Sequence, residues 1–345
     1  MVDLRSDTVT KPTGEMREVI ASAEVGDDVL GDDPTIIELQ EMICKILGKE
    51  AALFVPSGTM SNAIAIRAHT NPGDEIVTES TSHIYIYEGG GYAALSGCSV
   101  ALVPGKLGIM TPEDVEKAIR KGDGSLGHFP NGSLVCVENT SNRGGGTCYA
   151  QETLDAIAKV AHDNNCAAHM DGARLFNAAI ATGTEPARIV RDYDSISICL
   201  SKGLGSPVGS LLVGSFDFIA LAHRWRKMFG GGMRQAGVIA AAGIYALENN
   251  IDRLANDHKR AKKLASAIND MEMFSVDLEG VQTNMVYVKL IGDLTAEQVV
   301  EKLAENDVHV LALGDDLIRA VTHIHINDED IQLSLIHISE PTRPE

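Results

Sequence analysis

Hydrophobic positions in the first two thirds of the chain switch between two spacings. From Thr35 to Leu47, the residues Ile36, Ile37, Leu39, Met42, Ile43, Ile46 and Leu47 recur every three to four positions, and Gly48 follows. That spacing predicts an amphipathic helix with a glycine stop. Ala51 to Val55 is a short apolar run and reads as a strand, and a helix is expected from Thr59. The same reasoning predicts strands over Glu75 to Thr78, Ser133 to Glu138 and Ala167 to Met170, and a strand pair at Ser195 to Leu200 and Gly209 to Val213. Helices are expected over Pro112 to Arg120, entered through Thr111 with proline first, and over Gln151 to Asp163. Short apolar strands separated by helices predict an α/β fold: a mostly parallel mixed sheet between helices.

After Gly232 the pattern changes. Gly237 to Asn269 reads as nearly continuous helix with a break near Asn249 and Asn250. Strands are expected over Gln282 to Leu290, Val308 to Ala312 and Ile318 to Ile326, around a helix opened by the capping box Thr295-Ala-Glu-Gln298. This predicts a large domain over residues 15–240 and a smaller C-terminal α/β domain over 241–332. Asn327 to Gln332 looks like a capped helix start. Leu333 to Glu345 is read as abandoning helical periodicity, and it ends in prolines. It looks like a translated sequencing-adapter fragment, so residues 333–345 are expected to be a non-native tail.

Charge narrows the functions. The 345 residues carry 29 Lys+Arg against 48 Asp+Glu, a net charge of −19. Nothing in that total attracts a nucleic-acid backbone or an anionic membrane. The most apolar long stretch, Ala236 to Leu247, is well short of the ~20 residues a membrane span needs. The N-terminus lacks an apolar signal segment, and the six cysteines lie far apart without a C-x-x-C pattern. These features predict a cytoplasmic protein with reduced thiols and no metal site.

Three stretches carry candidate chemistry. In Pro56-Ser-Gly-Thr-Met-Ser-Asn62 a strand turns into a helix at Ser57, Gly58 and Thr59, where free N–H groups and the positive helix end suit an anion such as phosphate. An ordinary helix cap would look the same. In His169-Met-Asp-Gly-Ala-Arg174, Asp171 falls at the C-terminal end of a buried strand, the edge where parallel sheets bind ligands. It could pair with a protonated ring nitrogen, or merely cap the next helix. In Ser201-Lys-Gly-Leu-Gly205 one lysine, Lys202, lies between a strand and a glycine-rich loop. Desolvation there favours a nucleophilic amine, and Gly203, Gly205 and Gly209 are expected to let the backbone pass close to a bound ring. His323 and His325, two apart on an expected strand, read as a satisfied pair rather than metal ligands.

A phosphate cradle, a carboxylate for a pyridinium and a lysine for an aldehyde together match pyridoxal 5'-phosphate. The chain here resembles the fold-type-I pyridoxal-phosphate enzymes, and among them the threonine aldolase family. The match spans about Asp3 to Ile326. Its other motifs are Asp3-Leu-Arg-Ser-Asp-Thr-Val-Thr10, Ser82-His-Ile-Tyr85, Glu138-Asn-Thr140, Gly230-Gly-Gly-Met-Arg-Gln235 and Arg319-Ala-Val-Thr-His323. The resemblance implies that Lys202 holds the cofactor as a Schiff base, Asp171 keeps the pyridine nitrogen protonated, and His83 stacks on the ring. It implies a phosphate site from Gly58, Thr59 and Arg234, with Lys227 reaching a neighbouring subunit. Ser6, Arg174 and Arg319 would bind the substrate carboxylate, Arg174 also counting among the cofactor contacts, and His128 would join His83 near the substrate hydroxyl. Residues 1–14 would be an arm contributing to the site.

The implied reaction cleaves L-threonine or L-allo-threonine to glycine and acetaldehyde, in a homo-oligomer with shared sites, a tetramer. A β-eliminating lyase of the same fold is the rival; it should want an aromatic-lined pocket, and the chain has one Trp. A catalytically silent protein of this fold would lack Lys202, Asp171 or Arg319. One position departs from the family: Leu30 of Leu30-Gly-Asp-Asp-Pro34 stands where a tyrosine is usual.

Overall fold

The computed structural model describes residues 1–339. Its centre is a seven-stranded sheet. The strands are β1 (Ala51–Val55), β2 (Glu75–Glu79), β3 (Ser99–Val103), β4 (Gly132–Glu138), β5 (Ala167–Asp171), β6 (Ser195–Cys199) and β7 (Ser210–Gly214), in the order β1-β7-β6-β5-β4-β2-β3. Pairing is parallel from β3 through to β6, and β7 runs antiparallel to both β6 and β1. The parallel strands therefore deliver their C-terminal ends to one edge.

Alternate side chains of these strands feed two separate cores. Phe54, Met170, Ile196, Ile198, Leu211 and Val213 pack with the helices Pro34–Leu47, Gln151–Asp163 and Gly237–Asn249. Leu53, Val55 and Leu212 face the other way, against the helices Gly58–His69 and Phe216–Met228. The last of these helices and β3 have no counterpart in the sequence analysis. Phe216–Met228 buries only the narrow stripe Phe218, Ile219 and Ala222 among its apolar residues, and its last turns carry His223, Arg224, Arg226 and Lys227. β3 is a short, partly covered edge strand.

The C-terminal part builds a second, antiparallel sheet. Its strands are β8 (Phe274–Ser275), β9 (Met285–Leu290), β10 (Leu311–Ala312) and β11 (Leu317–Val321), ordered β10-β11-β9-β8. The helices Leu254–Asn269 and Ala296–Ala304 cover it, the latter with the expected capping box at Thr295 and Gln298. Two expectations need correction. The strand expected through Ile326 ends at Val321, and His323 and His325 instead bond the N-terminal segment, His323 through Asp3 O (2.7 Å) and His325 through Lys11 O (2.9 Å). The helical pattern does not stop after Gln332: a helix runs over Asp328–Ser339 with Ile331, Ser334 and Ile338 buried. Those positions, with Leu335 partly covered, keep the spacing of one helix face. Residues 340–345 of the expected tail lie outside the described residues.

The N-terminal segment joins both sheets. Val2–Asp3 pairs in parallel with Val308–His309, and Leu4 O accepts from Val321 N. A few residues on, Asp7 is fully buried and takes a two-pronged hydrogen bond from the Arg174 guanidinium, Nε at 2.8 Å and Nη2 at 2.7 Å. Burial, the largest single influence, would raise the Asp7 carboxyl, but the Arg174 charge and hydrogen bonds, with the Lys202 charge and the Asn284 amide, together outweigh it and hold the group far below the usual carboxylate range. Among the described residues no helix is long and apolar enough to cross a membrane.

Asp7→Asn strands a buried guanidinium without its counter-charge. It is expected to lower the unfolding free energy by about 3–5 kcal/mol, measured by urea denaturation. A loss below about 1 kcal/mol would mean that this pair does not tie down the segment. Because the folded carboxyl is depressed, its stabilisation is complete above about pH 4, the unfolded value, and drains as pH falls towards the folded one.

Candidate active site

The site forms where β5 and β6 end and the helix Gly58–His69 begins. Ser57 caps that helix, its hydroxyl accepting from Met60 N–H (3.2 Å). Among the described residues the N–H groups of Gly58 and Thr59 have no hydrogen-bond partner. Position 58 has no room for a side chain: a Cβ there would sit 2.6 Å from Cys199 Sγ. The result is an open helix start pressed against the end of β6, a ready cradle for an anion.

This start forms one wall of a cavity of about 290 Å3. Its lining includes Ser57, Gly58, Thr59, Asn62, His83, Glu88, Asp171 and Lys202. Six of the expected cofactor residues are therefore brought together. The Lys202 amine makes no hydrogen bond among the described residues, while its carbonyl is held by Thr10 Oγ1 (3.1 Å). Asp171 accepts from Ala173 N–H (3.1 Å) and from Asn62 Nδ2 (2.9 Å). A larger cleft of about 1140 Å3, near Lys49, His69 and Asp194, opens at the opposite edge of the sheet and contains none of these groups.

His83 opens the short helix His83–Ile86. Its backbone N–H bonds the fully buried Glu138 carboxylate (2.6 Å), and its Nδ1 lies 2.9 Å from Glu88 Oε1. Burial pulls the imidazole down, but the Glu88 hydrogen bond and the Asp171 and Glu88 charges outweigh it, so His83 titrates above its ordinary value. Burial and the nearby Asp171 charge push Glu138 up to about 7, against two backbone N–H donors. The second donor is Asn142 (2.7 Å).

Asn142 leads on to Arg319. Its Oδ1 accepts from Arg319 Nη1 (3.3 Å) and its carbonyl from Tyr287 OH (2.6 Å). Arg319 Nη2 reaches Arg5 O (3.1 Å), and the buried Nε has no partner. A buried guanidinium N–H without a protein acceptor is suited to an anion, although neither Arg319 nor Ser6 lines the cavity itself. Ser6, next to Arg5, caps a single turn by accepting from Thr8 N–H (3.2 Å).

The remaining expected residues are elsewhere. Arg174 does not line the cavity, and two of its nitrogens are committed to Asp7. His128 is exposed in the loop that leads into β4, at the N-terminal edge of the sheet, whereas the cavity lies at the C-terminal edge. Lys227 and Arg234 are exposed and outside the cavity, Arg234 bonding Asp27 (2.9 Å). The glycines after Lys202 serve packing instead of the cavity. A Cβ at Gly203 would meet Leu254 (3.0 Å) and one at Gly209 the Phe54 ring (2.7 Å).

Sequence reasoning gave no role to Asn62, Glu138 and Asp7, although they lie in stretches it singled out, and it missed Glu88 and Asn142. One signal was available. β6 reads Ser195-Ile-Ser-Ile-Cys199, an alternation that gives the covered face of the sheet a polar stripe, so polar partners were to be sought on the helix above it. The groups present fit pyridoxal phosphate: an open helix start for its phosphate, a carboxylate for its ring nitrogen, an unbonded amine for its aldehyde, and close by a buried, unpartnered guanidinium Nε–H for a substrate carboxylate.

The family described as "Beta-eliminating lyase" matches residues 3–291. A probable low-specificity L-threonine aldolase 2 of Arabidopsis thaliana is 45% identical, over 97% of this chain and 95% of its own length. The low specificity L-threonine aldolase of Escherichia coli K12 is 42% identical, over 96% of each. Among solved structures, a Leishmania major threonine aldolase shares the fold with TM-score 0.84 at 20% identity, covering 99% of this chain and all (100%) of that one. A putative L-allo-threonine aldolase of Listeria monocytogenes does so with TM-score 0.80 at 24% identity, over 97% and 96%. The chain belongs to the beta-eliminating lyase family and, within it, to the low-specificity L-threonine aldolases.

Proposed function

We propose that this protein is a pyridoxal-phosphate-dependent aldehyde-lyase that cleaves L-threonine and L-allo-threonine to glycine and acetaldehyde. The observation that carries this is the meeting, in one cavity, of the Lys202 amine, the Asp171 carboxylate and the open helix start at Gly58. When bound, pyridoxal phosphate supplies an aldehyde for amine exchange and a ring that withdraws electrons from the Cα–Cβ bond. Lys202 is the amine that would hold this aldehyde until substrate takes its place. Asp171 would keep a proton on the ring nitrogen. The N–H groups of Gly58 and Thr59, with the Ser57 hydroxyl, take the phosphate. His83 would lie against the ring, held by Glu138 through its backbone N–H and by Glu88 through its imidazole. Arg319 would offer its unpaired Nε–H to the α-carboxylate beside Ser6, with Arg174 holding Asp7 and the segment around it in place.

The β-hydroxyl proton must leave as the Cα–Cβ bond breaks. His83 is the histidine that lines the cavity, and we assign it this task; the exposed His128 would act from elsewhere. We further assign Lys227 and Arg234 to the phosphate of a neighbouring subunit, which makes the active form a homo-oligomer with shared sites, a tetramer built as a dimer of dimers. The exposure of both cations outside their own cavity supports this. All six cysteines are free thiols, which supports residence in a reducing compartment such as the cytoplasm. Glycine supply and threonine breakdown are the metabolic roles that follow from the products.

Purified protein incubated with pyridoxal phosphate is expected to show a protonated Schiff-base absorption band and to release glycine from L-threonine or L-allo-threonine. Lys202→Ala should abolish the band and lower kcat by at least about 10²–10⁴-fold, the scale of a lost proton-transfer group. Wild-type protein that binds the cofactor but cleaves neither substrate would refute the assignment.

Shared sites make a second prediction. Lys202→Ala and Arg234→Ala protomers, each inactive alone, should recover up to about a quarter of wild-type activity when mixed and reassembled, because half of the dimers are hybrids with one intact site in two. Hybrids that form without recovering activity would place Arg234 in its own subunit's site or in none.

A further inference from the structure

The helix Gly58–His69 lies over a sheet face that is polar where it meets β5 and β6. His169 and Asp171, two apart on β5, share that face. Ser195 of β6 is the register partner of His169. Asn62, one helical turn after Gly58 and 2% exposed, closes on this row. Its Nδ2 donates to Asp171 Oδ2 and to Glu88 Oε1, both at 2.9 Å.

Those two bonds use both amide hydrogens, so the polarity of the remaining network follows. Asn62 Oδ1 can only accept, and its neighbour at 3.1 Å is His169 Nε2, which must carry a hydrogen. Burial pushes His169 down to about 4, so its ring is neutral and Nδ1 is bare. Nδ1 accepts from the Ser195 hydroxyl (2.8 Å). Ser195 Oγ in turn accepts from Nε2 of His69 (2.8 Å), another imidazole held neutral by burial. One direction of donation therefore runs from His69 through Ser195, His169 and Asn62 to Asp171.

The chain ends on the carboxylate that faces the ring nitrogen. A buried carboxylate–pyridinium pair can lose both charges by moving one proton, and burial favours that collapse. Hydrogen bonds to the charged carboxylate oppose it. Asp171 has two such donors among the described residues, the Ala173 N–H and the Asn62 amide. We propose that Asn62 is a positioning residue for the reaction: held in one orientation by the His169 N–H, it keeps Asp171 ionised, so that the shared proton stays on the ring nitrogen. This rests on the reading that the cavity binds pyridoxal phosphate.

The test uses the full chain loaded with pyridoxal phosphate carrying ¹⁵N in the ring, observed by NMR. Asn62→Leu removes the donor at similar volume. It is expected to bind the cofactor, to move the ring-nitrogen resonance towards the unprotonated range, and to lower kcat on L-threonine by about 10- to 100-fold, the worth of one hydrogen bond to a charged group, with KM little changed. A ring resonance and kcat equal to wild type overturn the proposal. If Asn62→Leu does not fold, the wild-type protein decides, through ¹⁵N-labelled histidine. His169 must keep the neutral Nε2–H form between about pH 5 and 8. A His169 that titrates in that window, or carries its hydrogen on Nδ1, overturns the proposal. Wild-type protein that takes up no pyridoxal phosphate overturns the parent reading as well; a protonated ring in wild type with an unaffected variant overturns this inference alone.

Discussion

The structure depends on keeping a negative charge at Asp171 inside a protein interior. A carboxylate removed from water is strongly disfavoured unless its oxygens are bonded or paired. Two neighbours of Asp171 answer that constraint directly. Asn62 and the Ala173 N–H give it donors. The effect reaches beyond direct contacts. The Asp171 charge adds to burial in raising Glu88 and Glu138, and it contributes to lifting His83. Both raised carboxyls hold His83, Glu88 through the ring and Glu138 through the backbone. One buried anion thus adds to burial in shifting the groups that position the histidine.

The N-terminal segment solves a different problem. The two sheets have separate apolar cores, bridged by the helix Leu254–Asn269, whose Leu254 packs in one and Leu264 in the other, and the N-terminal segment adds a second, polar tie between them. Val2 and Leu4 enter the C-terminal core, and Asp7 then crosses to Arg174 beside β5. Arg5 O and Asn142 Oδ1 meet on the guanidinium of Arg319. Asn142 follows β4 of the large sheet, and Arg319 lies in β11 of the small one. The group assigned to the substrate carboxylate is therefore fixed by both sheets at once, through polar contacts that would fail if either moved by an ångström or two.

The legible part of the site consists of residues whose place follows from local pattern. Lys202 and Asp171 stand at strand ends, and Ser57 to Thr59 at a strand-to-helix turn, so each could be placed from its own neighbours. The residues left without a role owe their position to pairing between distant segments. Asn62 matters because its helix crosses β5, Glu138 because β4 and β5 are in register at Glu138 and Asp171, and Asp7 because a segment far away in sequence folds back. Hydrophobic periodicity carries no information about such meetings. The error at the C-terminus has a different source. Serine and histidine at positions 334 and 337 break an apolar count, yet Ile331, Leu335 and Ile338 keep helical spacing, and the helix follows the stripe and not the count.

The chain's net charge of −19 sharpens what the proposed assembly must do. Phosphate and α-carboxylate are both anions, and the cavity wall already holds Glu88 and Asp171. Local donors at the helix start and at Arg319 supply part of the compensation. Lys227 and Arg234 are held near a loop containing Leu30: Asp28 N–H bonds Arg234 O, and a Cβ at Gly232 would touch both Val29 (3.5 Å) and Lys227 (3.6 Å). Leu30 is 75% exposed and Met228 62% exposed on this part of the surface. Apolar side chains mixed with unburied cations are poorly suited to water and well suited to a neighbour that offers apolar cover and an anion. In the proposed shared site, leucine in place of the family's tyrosine removes a hydroxyl from that contact while keeping its apolar area. The substitution then falls on how a neighbouring subunit closes the entrance, and leaves the chemistry around Lys202 and Asp171 as it is.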